Sequence, residues 1–454
     1  LEDALLACAL GQRGGGVVRR LHRLWERQGE AGAKSVLAFV LERAAEPLLA
    51  LLRRWLLRGD ADQGGEFFID TNGGNGGDDE TWDAGFSLIR ERCPAFLEPV
   101  ADRVLEAGKC VAALRRCTGD GRPLWQPPGS VHLRFSPEAR DYEAPIAALH
   151  SAATRALLRF LLEDSRLLSR LEAVRDLFLL RQGDYVSAFM DAAHAELAND
   201  SLPPSTTTSL SSSTVSDIST SPALSKRLAR LRALLDLSIR AARPSADEMA
   251  DCVICALEAR PLAEQLEAVH AGAGAAAAGA TAAPRRGRSL KVYAALTLDL
   301  QVAWPLSLVL DEAALLRYQL LFRHLFFTAY VGRALGRSWA THQQCKELNL
   351  GTLLAASWAL RQRMLHLVHN LHFFFAVEVL TPAWHALEAA LRSAGSLDAV
   401  RRAHIHFLDS ALAGCLLSEP TMLRPLTRLV TLCLYFADRL TDDMDKHRPD
   451  DEEV

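Results

Sequence analysis

The sequence lacks the features that mark secreted, membrane-spanning and nucleotide-binding proteins. No uninterrupted apolar run reaches 18 residues, so we expect no membrane span. No signal peptide is recognisable, and a chain that begins at Leu1 rather than Met predicts that the natural amino terminus is missing. No phosphate loop and no Gly-x-Ser-x-Gly elbow occur, which predicts that the chain has no nucleotide site of its own. A net charge of −4 also provides no broad basic field, so no nucleic-acid partner is expected.

Composition indicates a helical protein from a reducing compartment. The nine cysteines are odd in number and scattered, which indicates reduced thiols in a cytosolic protein rather than a disulfide framework. Aromatic residues make up only 7% of the chain, while alanine, leucine and arginine are abundant, and this balance favours helix over sheet. With 49% apolar residues, the 454-residue chain can bury a large core.

Three short patterns could carry chemistry, and each has a simpler interpretation. His366, His369 and His372 lie three apart and could place two ligands on one metal, but no Cys, Asp or Glu completes the set nearby. Cys252-Val-Ile-Cys255 is a lone pair without a second one, which predicts packing in an apolar helix. Gly272-Ala-Gly274 lies in an alanine tract with no preceding strand, so we interpret it as low complexity.

The segment from Arg361 to Asp438 has the strongest helical pattern. Apolar residues recur there at spacings of three and four, as on one face of a helix: Met364, Val368, Leu371, Phe375 and Val379. Nearly every position from Leu371 to Leu380 is apolar, which predicts a helix that is buried on most sides. Thr381-Pro382 is then expected to interrupt it, because proline disfavours the helical conformation of the preceding residue.

The rest of the chain also has helical periodicity, with several predicted breaks. We expect helices over residues 1–58, over 86–117 with breaks at Pro94, at Pro99 and near Gly108, and over 144–198. The Ser/Thr/Pro-rich stretch at about 200–222 and the Ala/Gly-rich stretch at 271–288 are predicted to be disordered insertions. The acidic tail from 441 is expected to fray.

Several strings resemble one family. Residues 171–190, Trp304-Pro-Leu-Ser-Leu308, Tyr318-Gln-Leu-Leu-Phe-Arg-His324, and the stretches 369–388, 404–420 and 426–438 are similar to the gamma-tubulin complex components, and most similar to the component 2 type. The resemblance implies an all-α fold, an elongated stack of helical bundles with two consecutive domains. Residues 1–144 would be the end of the amino-terminal bundle domain, which makes lateral contacts. Residues 145–454 would be the carboxy-terminal domain that binds gamma-tubulin.

The resemblance implies a scaffold rather than an enzyme, with no catalytic, cofactor or metal residues. The implied partners are gamma-tubulin and other components, with a component 3 type as the lateral neighbour, and the implied location is a microtubule-organising centre or spindle pole. Aromatic residues beside arginines, together with the family's layout, predict a tubulin-contacting surface on residues 310–440. The candidate partner-binding residues are Arg317, Tyr318, Arg323, His324 and Phe327.

Other interpretations remain open from residues alone. On residue types, the arginines near Phe322 also fit a solvated face beside a buried one. An unrelated helical adaptor or tethering scaffold would have the same amphipathic stripes. An enzyme that uses a metal bound by the His366–His372 group is the third hypothesis.

Overall fold

The computed structural model is predominantly helical. It describes residues 14–61, 66–71, 85–117, 125–126, 133, 142–198, 201–202, 222–242, 251–258, 260–266, 290–344 and 351–446. The helices are α1 (Gly15–Arg27), α2 (Ala31–Arg58), α3 (Ala101–Cys117), α4 (Glu143–Arg159), α5 (Leu167–Phe178), α6 (Gly183–Ala192), α7 (His194–Ala198), α8 (Pro222–Ala242), α9 (Val292–Ala295), α10 (Glu312–Gln344), α11 (Gly351–Phe373), α12 (Thr381–Ser393), α13 (Leu397–Gly414) and α14 (Pro420–Lys446). Short 3₁₀ turns cover Glu98–Val100 and Leu306–Leu308, and π-helical turns cover Phe160–Asp164 and Phe374–Leu380.

Three short antiparallel strand pairs depart from the predicted all-α fold. They join β1 (Ile69–Thr71) to β2 (Phe86–Leu88), β3 (Ser201–Leu202) to β5 (Leu290–Lys291), and β4 (Val253–Leu257) to β6 (Leu296–Leu300). The Cys-x-x-Cys motif lies at β4, so the prediction that it packs in a helix is wrong, although Cys255 is buried as expected. Val253 to Leu257 is a short run rich in apolar and β-branched residues, which a strand and a helix segment share.

The packing divides the chain into two compact units. Unit 1 comprises Leu1–Leu167, Ala303–Asp311 and Ser393–Arg401. Unit 2 comprises Leu168–Val302, Glu312–Arg392 and Arg402–Val454. The division falls within the helical region 144–198, and the predicted domains 1–144 and 145–454 stay a prediction. The elongated stacking of the bundles stays a prediction.

The core of unit 1 forms around Trp55 of α2. Its indole Nε1 donates to the carbonyl of Val104 on α3 at 2.8 Å, and the ring meets the edge of Phe86. Gly108 lies directly beneath this ring, and a Cβ there would come within 1.8 Å of Trp55 Cε2. The predicted break near Gly108 is wrong, because α3 is continuous through it. The glycine instead lets the two helices approach closely enough to bury the tryptophan.

Helix α10 is the centre of unit 2. It packs against α11, α14 and β6, and its aromatic side chains meet those of α5 and α6. Phe178 contacts the edges of Tyr318 and Phe322, while Phe189 packs against Phe326. All five rings are almost completely buried. This aromatic layer explains why α10 carries apolar residues on most of its faces.

Several sequence predictions fall partly or wholly on residues that the structure does not describe. The Gly272–Gly274 pattern and the 271–288 insertion lie outside the described residues, as does 203–221 of the first insertion. Helix α14 continues through the acidic residues to Lys446, and residues 447–454 of the acidic tail lie outside.

Candidate protein-binding surface

Three of the five predicted partner-binding residues lie in the interior of unit 2. Tyr318, Arg323 and His324 are 0%, 4% and 5% exposed. The Arg323 guanidinium donates to the Ala294 carbonyl at 2.7 Å, to the Arg260 carbonyl at 3.0 Å and to Gln265 Oε1 at 2.6 Å. Burial lowers the pKa of Arg323 to about 10. Arg323 therefore ties α9 and the segment that contains Arg260 and Gln265 to α10, and it presents no charge to solvent.

The other predicted residues are also engaged inside unit 2. The Tyr318 hydroxyl lies 3.0 Å from His404 Nε2, and burial raises the pKa of this tyrosine. Arg317 is half-buried, with its Nε 3.2 Å from Asp409 Oδ1. Phe327 stacks on Tyr293 with ring centroids 5.9 Å apart. Their role in partner binding stays a prediction, and the described contacts give each of them a role in packing.

His324 is buried, and its described ring contact is with an apolar side chain. The ring centroid lies 5.1 Å from that of Phe375. Burial lowers the pKa of His324 to about 4, because desolvation penalises the charged imidazolium. The histidine is therefore neutral at physiological pH and acts as a core side chain.

An exposed apolar stripe runs along α11 and the π turn that follows it. Leu360, Leu367 and Phe374 lie seven residues apart, and Val377 follows three residues later. These four side chains are 42% to 44% exposed, and neighbouring Phe373 is 57% exposed. We call Leu360, Leu367, Phe374 and Val377 the α11 stripe. The prediction that Leu371 to Leu380 is buried on most sides is therefore wrong.

A second, buried seam on the same helix anchors it to α10. It consists of Arg361, Val368 and Phe375, each one position after a residue of the α11 stripe. Arg361 Nη1 donates to the Leu335 carbonyl at 3.1 Å, and its guanidinium lies 4.7 Å from the Trp339 ring centroid. Helix α11 and the π turn thus have an exposed apolar stripe and a buried seam, and unit 2 uses the buried seam for its own packing.

The π turn keeps the helix continuous through Pro382. Thr381 stays in the right-handed helical region with φ −66° and ψ −50°, and its Oγ1 donates to the Ala376 carbonyl at 2.8 Å. The predicted interruption at Thr381-Pro382 is wrong, because the wider turn takes up the strain that proline places on a regular helix. Buried Trp384, Leu387 and Leu391 then hold α12 in the core.

The polar residues around the α11 stripe are mostly basic or uncharged, and exposed Glu378 directly follows Val377. From Gly351 to Val377 there is no Asp or Glu, but there are Arg361, Arg363, His366, His369 and His372. His366 Nδ1 lies 2.9 Å from Asn370 Nδ2, so His366 has a neighbour on its own helix. Within the described ranges, no group of three His, Cys, Asp or Glu side chains is close enough to hold a metal ion.

The run Ala355–Ser393 is long and apolar enough to cross a membrane, judged by length and composition alone. Within the part of the chain that the structure describes, it is the single run that meets this test. Only 17% of its most apolar 18-residue window is buried, so much of the apolar surface faces outward. One such run is weak evidence for a membrane protein. The apolar composition of this run is as consistent with an exposed protein-binding stripe as with a membrane span.

Helix α14 carries a second set of exposed apolar residues. Met422, Leu429, Leu432 and Tyr435 are 41% to 56% exposed, while Leu423, Val430 and Cys433 face the core. Arg439 interrupts this surface, since its Nε donates to the Tyr435 hydroxyl at 2.9 Å. Both helices therefore offer apolar surface beside exposed arginines, which are Arg424 and Arg428 on α14, and residues 421–437 of α14 contain no Asp or Glu.

The fold and the surface define a predominantly helical protein whose candidate binding site is an exposed apolar helix face. Comparison with known proteins gives the family. Residues 2–164 match the family described as gamma tubulin complex component N-terminal, and residues 167–453 match gamma tubulin complex component C-terminal. The chain belongs to the gamma-tubulin complex component family, which confirms the resemblance found in the sequence.

Individual relatives are similar along nearly the whole chain. Gamma-tubulin complex component 2 of Mus musculus is 30% identical over 433 residues, which cover 93% of this chain and 45% of that protein. The component 2 homolog of Drosophila melanogaster is 28% identical, with 93% and 47% covered. Spindle pole body component alp4 of Schizosaccharomyces pombe is 24% identical, with 94% and 59% covered. The chain spans about half the length of the curated relatives it matches.

Proposed function

We propose that this chain is a scaffold subunit of a gamma-tubulin complex, which binds gamma-tubulin and arrays it to template microtubule nucleation. The observation that carries the proposal is the match of two consecutive family domains over residues 2–164 and 167–453. Family membership removes the alternative of an unrelated helical adaptor. The named relatives support a location at a microtubule-organising centre or spindle pole.

The scaffold acts by geometry. The first contacts between free tubulin dimers do not offset the translational freedom that the dimers lose. A scaffold that holds several gamma-tubulins side by side raises their effective concentration and presents a ready end for growth. Repeated lateral contacts between non-identical faces of the scaffold subunits generate a helical array. The chain itself then needs no catalytic group, and any GTP belongs to the tubulins.

Each part of the chain has a separate role in this proposal. The amino-terminal part contacts a neighbouring component, with a component 3 type as the proposed neighbour. Support comes from Val36 and Phe39 on α2, which are 51% and 61% exposed. The carboxy-terminal part, predicted as 145–454, binds gamma-tubulin through the surface between residues 310 and 440. Support comes from the exposed apolar side chains of α11 and α14.

The direct test is binding between the purified full chain and purified gamma-tubulin. The two are mixed and separated by size-exclusion chromatography, with αβ-tubulin dimer in place of gamma-tubulin as the control. We expect the chain and gamma-tubulin to elute together as a stable complex. A folded chain that never shifts gamma-tubulin to a larger size contradicts the proposal.

A further inference from the structure

A cavity of about 620 Å³ lies within unit 2, between α6, α10 and α11. Ligand pockets in proteins commonly measure about 300–1,000 Å³ and have a mostly apolar lining with a few polar groups. No residue of the α11 stripe is among the lining residues, so the cavity is distinct from the exposed face of α11. Its apolar wall consists of side chains that are 1% to 6% exposed, which are Leu180, Val186, Met190 and Val368.

A glycine of α10 leaves room in this cavity. Gly336 lies in the interior of the helix, where glycine is less favourable than alanine. A Cβ on Gly336 would meet no neighbouring atom within 4 Å beyond its own stretch of helix, so no close packing requires a glycine there. Gly336 and Leu365 also line a second cavity of about 530 Å³, beside the rings of Trp339 and Trp358. Because the two cavities share these residues, the space along α10 is elongated.

Two arginines and one carboxylate are among the residues that line the first cavity. Asp191 Oδ1 accepts a hydrogen bond from Arg333 Nε at 3.0 Å, and this bond holds the pKa of Asp191 below its ordinary value. Arg337 Nη1 lies 4.0 Å from Asp191 Oδ1, which is beyond hydrogen-bond distance. Across the described ranges this buried nitrogen has no hydrogen-bond partner. The carboxylate therefore serves Arg333 and leaves a donor of Arg337 without an acceptor.

The unpaired donor of Arg337 indicates the chemistry of a ligand. Burial is the main reason that the pKa of Arg337 is lowered, and Asp438 of α14 has the smallest of the named effects on it. His372 also lines the cavity, and its buried Nδ1 likewise has no hydrogen-bond partner in the described part of the chain. A buried donor without an acceptor is unfavourable, and a charged donor bonds most strongly to an anionic oxygen. A ligand that carries such an oxygen would therefore satisfy the guanidinium.

The apolar wall and the arginine suit different parts of one molecule. A purely apolar ligand would leave Arg337 without its acceptor, and inorganic phosphate alone would leave the wall without an apolar contact. We propose that the cavity binds an organic acid with a hydrocarbon chain, whose anionic head accepts from Arg337 and whose chain lies against Met190 and Val368. The scaffold function requires no small molecule, so this site goes beyond it and can fail while the proposed function stands.

The first test compares an acid with the matching alcohol. Octanoate and 1-octanol are titrated separately into the full chain by isothermal titration calorimetry. We expect octanoate to bind about tenfold or more tightly, because only the acid offers an anionic oxygen to Arg337. Arg337→Gln should remove this preference. Both probes are measured on the same variant, so a general loss of stability does not change their ratio. Equal binding of the two probes to the original chain, or an unchanged preference in Arg337→Gln, would overturn the inference.

The second test fills the cavity. Gly336→Leu adds a side chain where a Cβ has room, and Gly32→Leu makes the same change at an equally open position on α2 of unit 1. Both variants should be at least as stable as the original chain, because leucine is the better helix former. We expect Gly336→Leu to weaken octanoate binding about tenfold or more, since the new side chain occupies the space of the ligand. Gly32→Leu should stay within about twofold. Undiminished octanoate binding by folded Gly336→Leu would contradict a site in this cavity.

Gamma-tubulin binding by the same variants separates a protein occupant from a small molecule. If the original chain does not bind octanoate and Gly336→Leu weakens gamma-tubulin binding, the cavity receives a side chain of the partner and the inference is overturned. If the chain binds octanoate as expected but does not bind gamma-tubulin, the inference stands and the proposed function fails.

Discussion

Two aromatic helices in unit 2 differ in how much of their apolar surface is buried. On α10, the segment from Tyr318 to Phe327 has aromatics beside arginines and resembles an interface in composition, yet most of it is interior. On α11, the segment from Leu360 to Val377 resembles a core helix, yet it leaves one apolar stripe in solvent. Residue type therefore does not separate core from binding surface here. What separates them is whether another element of unit 2 covers the face.

The most damaging change should be at the α10 arginine. Arg323→Glu places a carboxylate where a buried guanidinium donates to two carbonyls and Gln265, so we expect a loss of about 3–5 kcal/mol of unfolding free energy. Arg317→Glu, on the same helix but half-buried beside Asp409, should cost no more than about 1 kcal/mol. Urea unfolding of both variants measures the difference. Similar stabilities would show that Arg323 is not an interior residue.

A pH titration should reveal the buried histidine of α10. The pKa of His324 is about 4 in the folded chain against an ordinary value of 6.5, so protons bind the unfolded chain preferentially. Its contribution to stability is therefore lost as the pH falls from about 6.5 towards 4, by about 2 kcal/mol between pH 7 and pH 5. His324→Leu should remove that part of the decline, measured by urea unfolding at both pH values. An unchanged pH dependence in His324→Leu would contradict the burial of this ring.

Neighbouring residues on α11 should differ in stability because they lie on different seams. Val368→Ala removes packing from the buried seam and should cost about 2 kcal/mol. Leu367→Ala, in the exposed stripe, should change stability by no more than about 0.5 kcal/mol. Thermal and urea unfolding measure both variants. A large loss in Leu367→Ala would mean that another part of the chain covers the stripe.

A small effect is also expected for the tyrosine of α10. Tyr318→Phe keeps the ring that packs on Phe178 and removes the hydroxyl that lies 3.0 Å from His404 Nε2. A single buried hydrogen bond contributes about 1 kcal/mol. We expect a loss of that size, with gamma-tubulin binding unchanged because the hydroxyl does not reach the surface. Weaker binding without a loss of stability would restore Tyr318 as a partner residue.

The sequence predicted the helical character and the family, and it predicted less well which faces are inside. Periodicity at Val368 and Phe375 correctly marked a core seam, because positions three and four apart share a helix face. The same heptad spacing at Leu360, Leu367 and Phe374 was also present in the sequence, and it was the available signal for a second seam. Periodicity alone could not tell that α10 covers only one of them.

The breaks were harder to predict because they depend on tertiary partners. Helix α3 continues through Gly108, and the glycine is required there because the Trp55 ring occupies the position that a Cβ would take. The helix passes Pro382 because a π turn precedes it. Strand β4 forms because β6 is available as a partner, although its sequence also fits a helix. Each of these depends on contacts between residues far apart in the chain, which local patterns do not contain.

Hydrogen exchange with and without gamma-tubulin tests the central claim most directly. If the chain binds gamma-tubulin through the exposed apolar side chains of α11, as proposed, backbone amides of residues 355–380 should exchange more slowly in the complex. Those of residues 318–327 on α10, which are buried already, should change little. A complex that forms with no added protection across residues 355–380, and with new protection elsewhere on unit 2, would contradict the account.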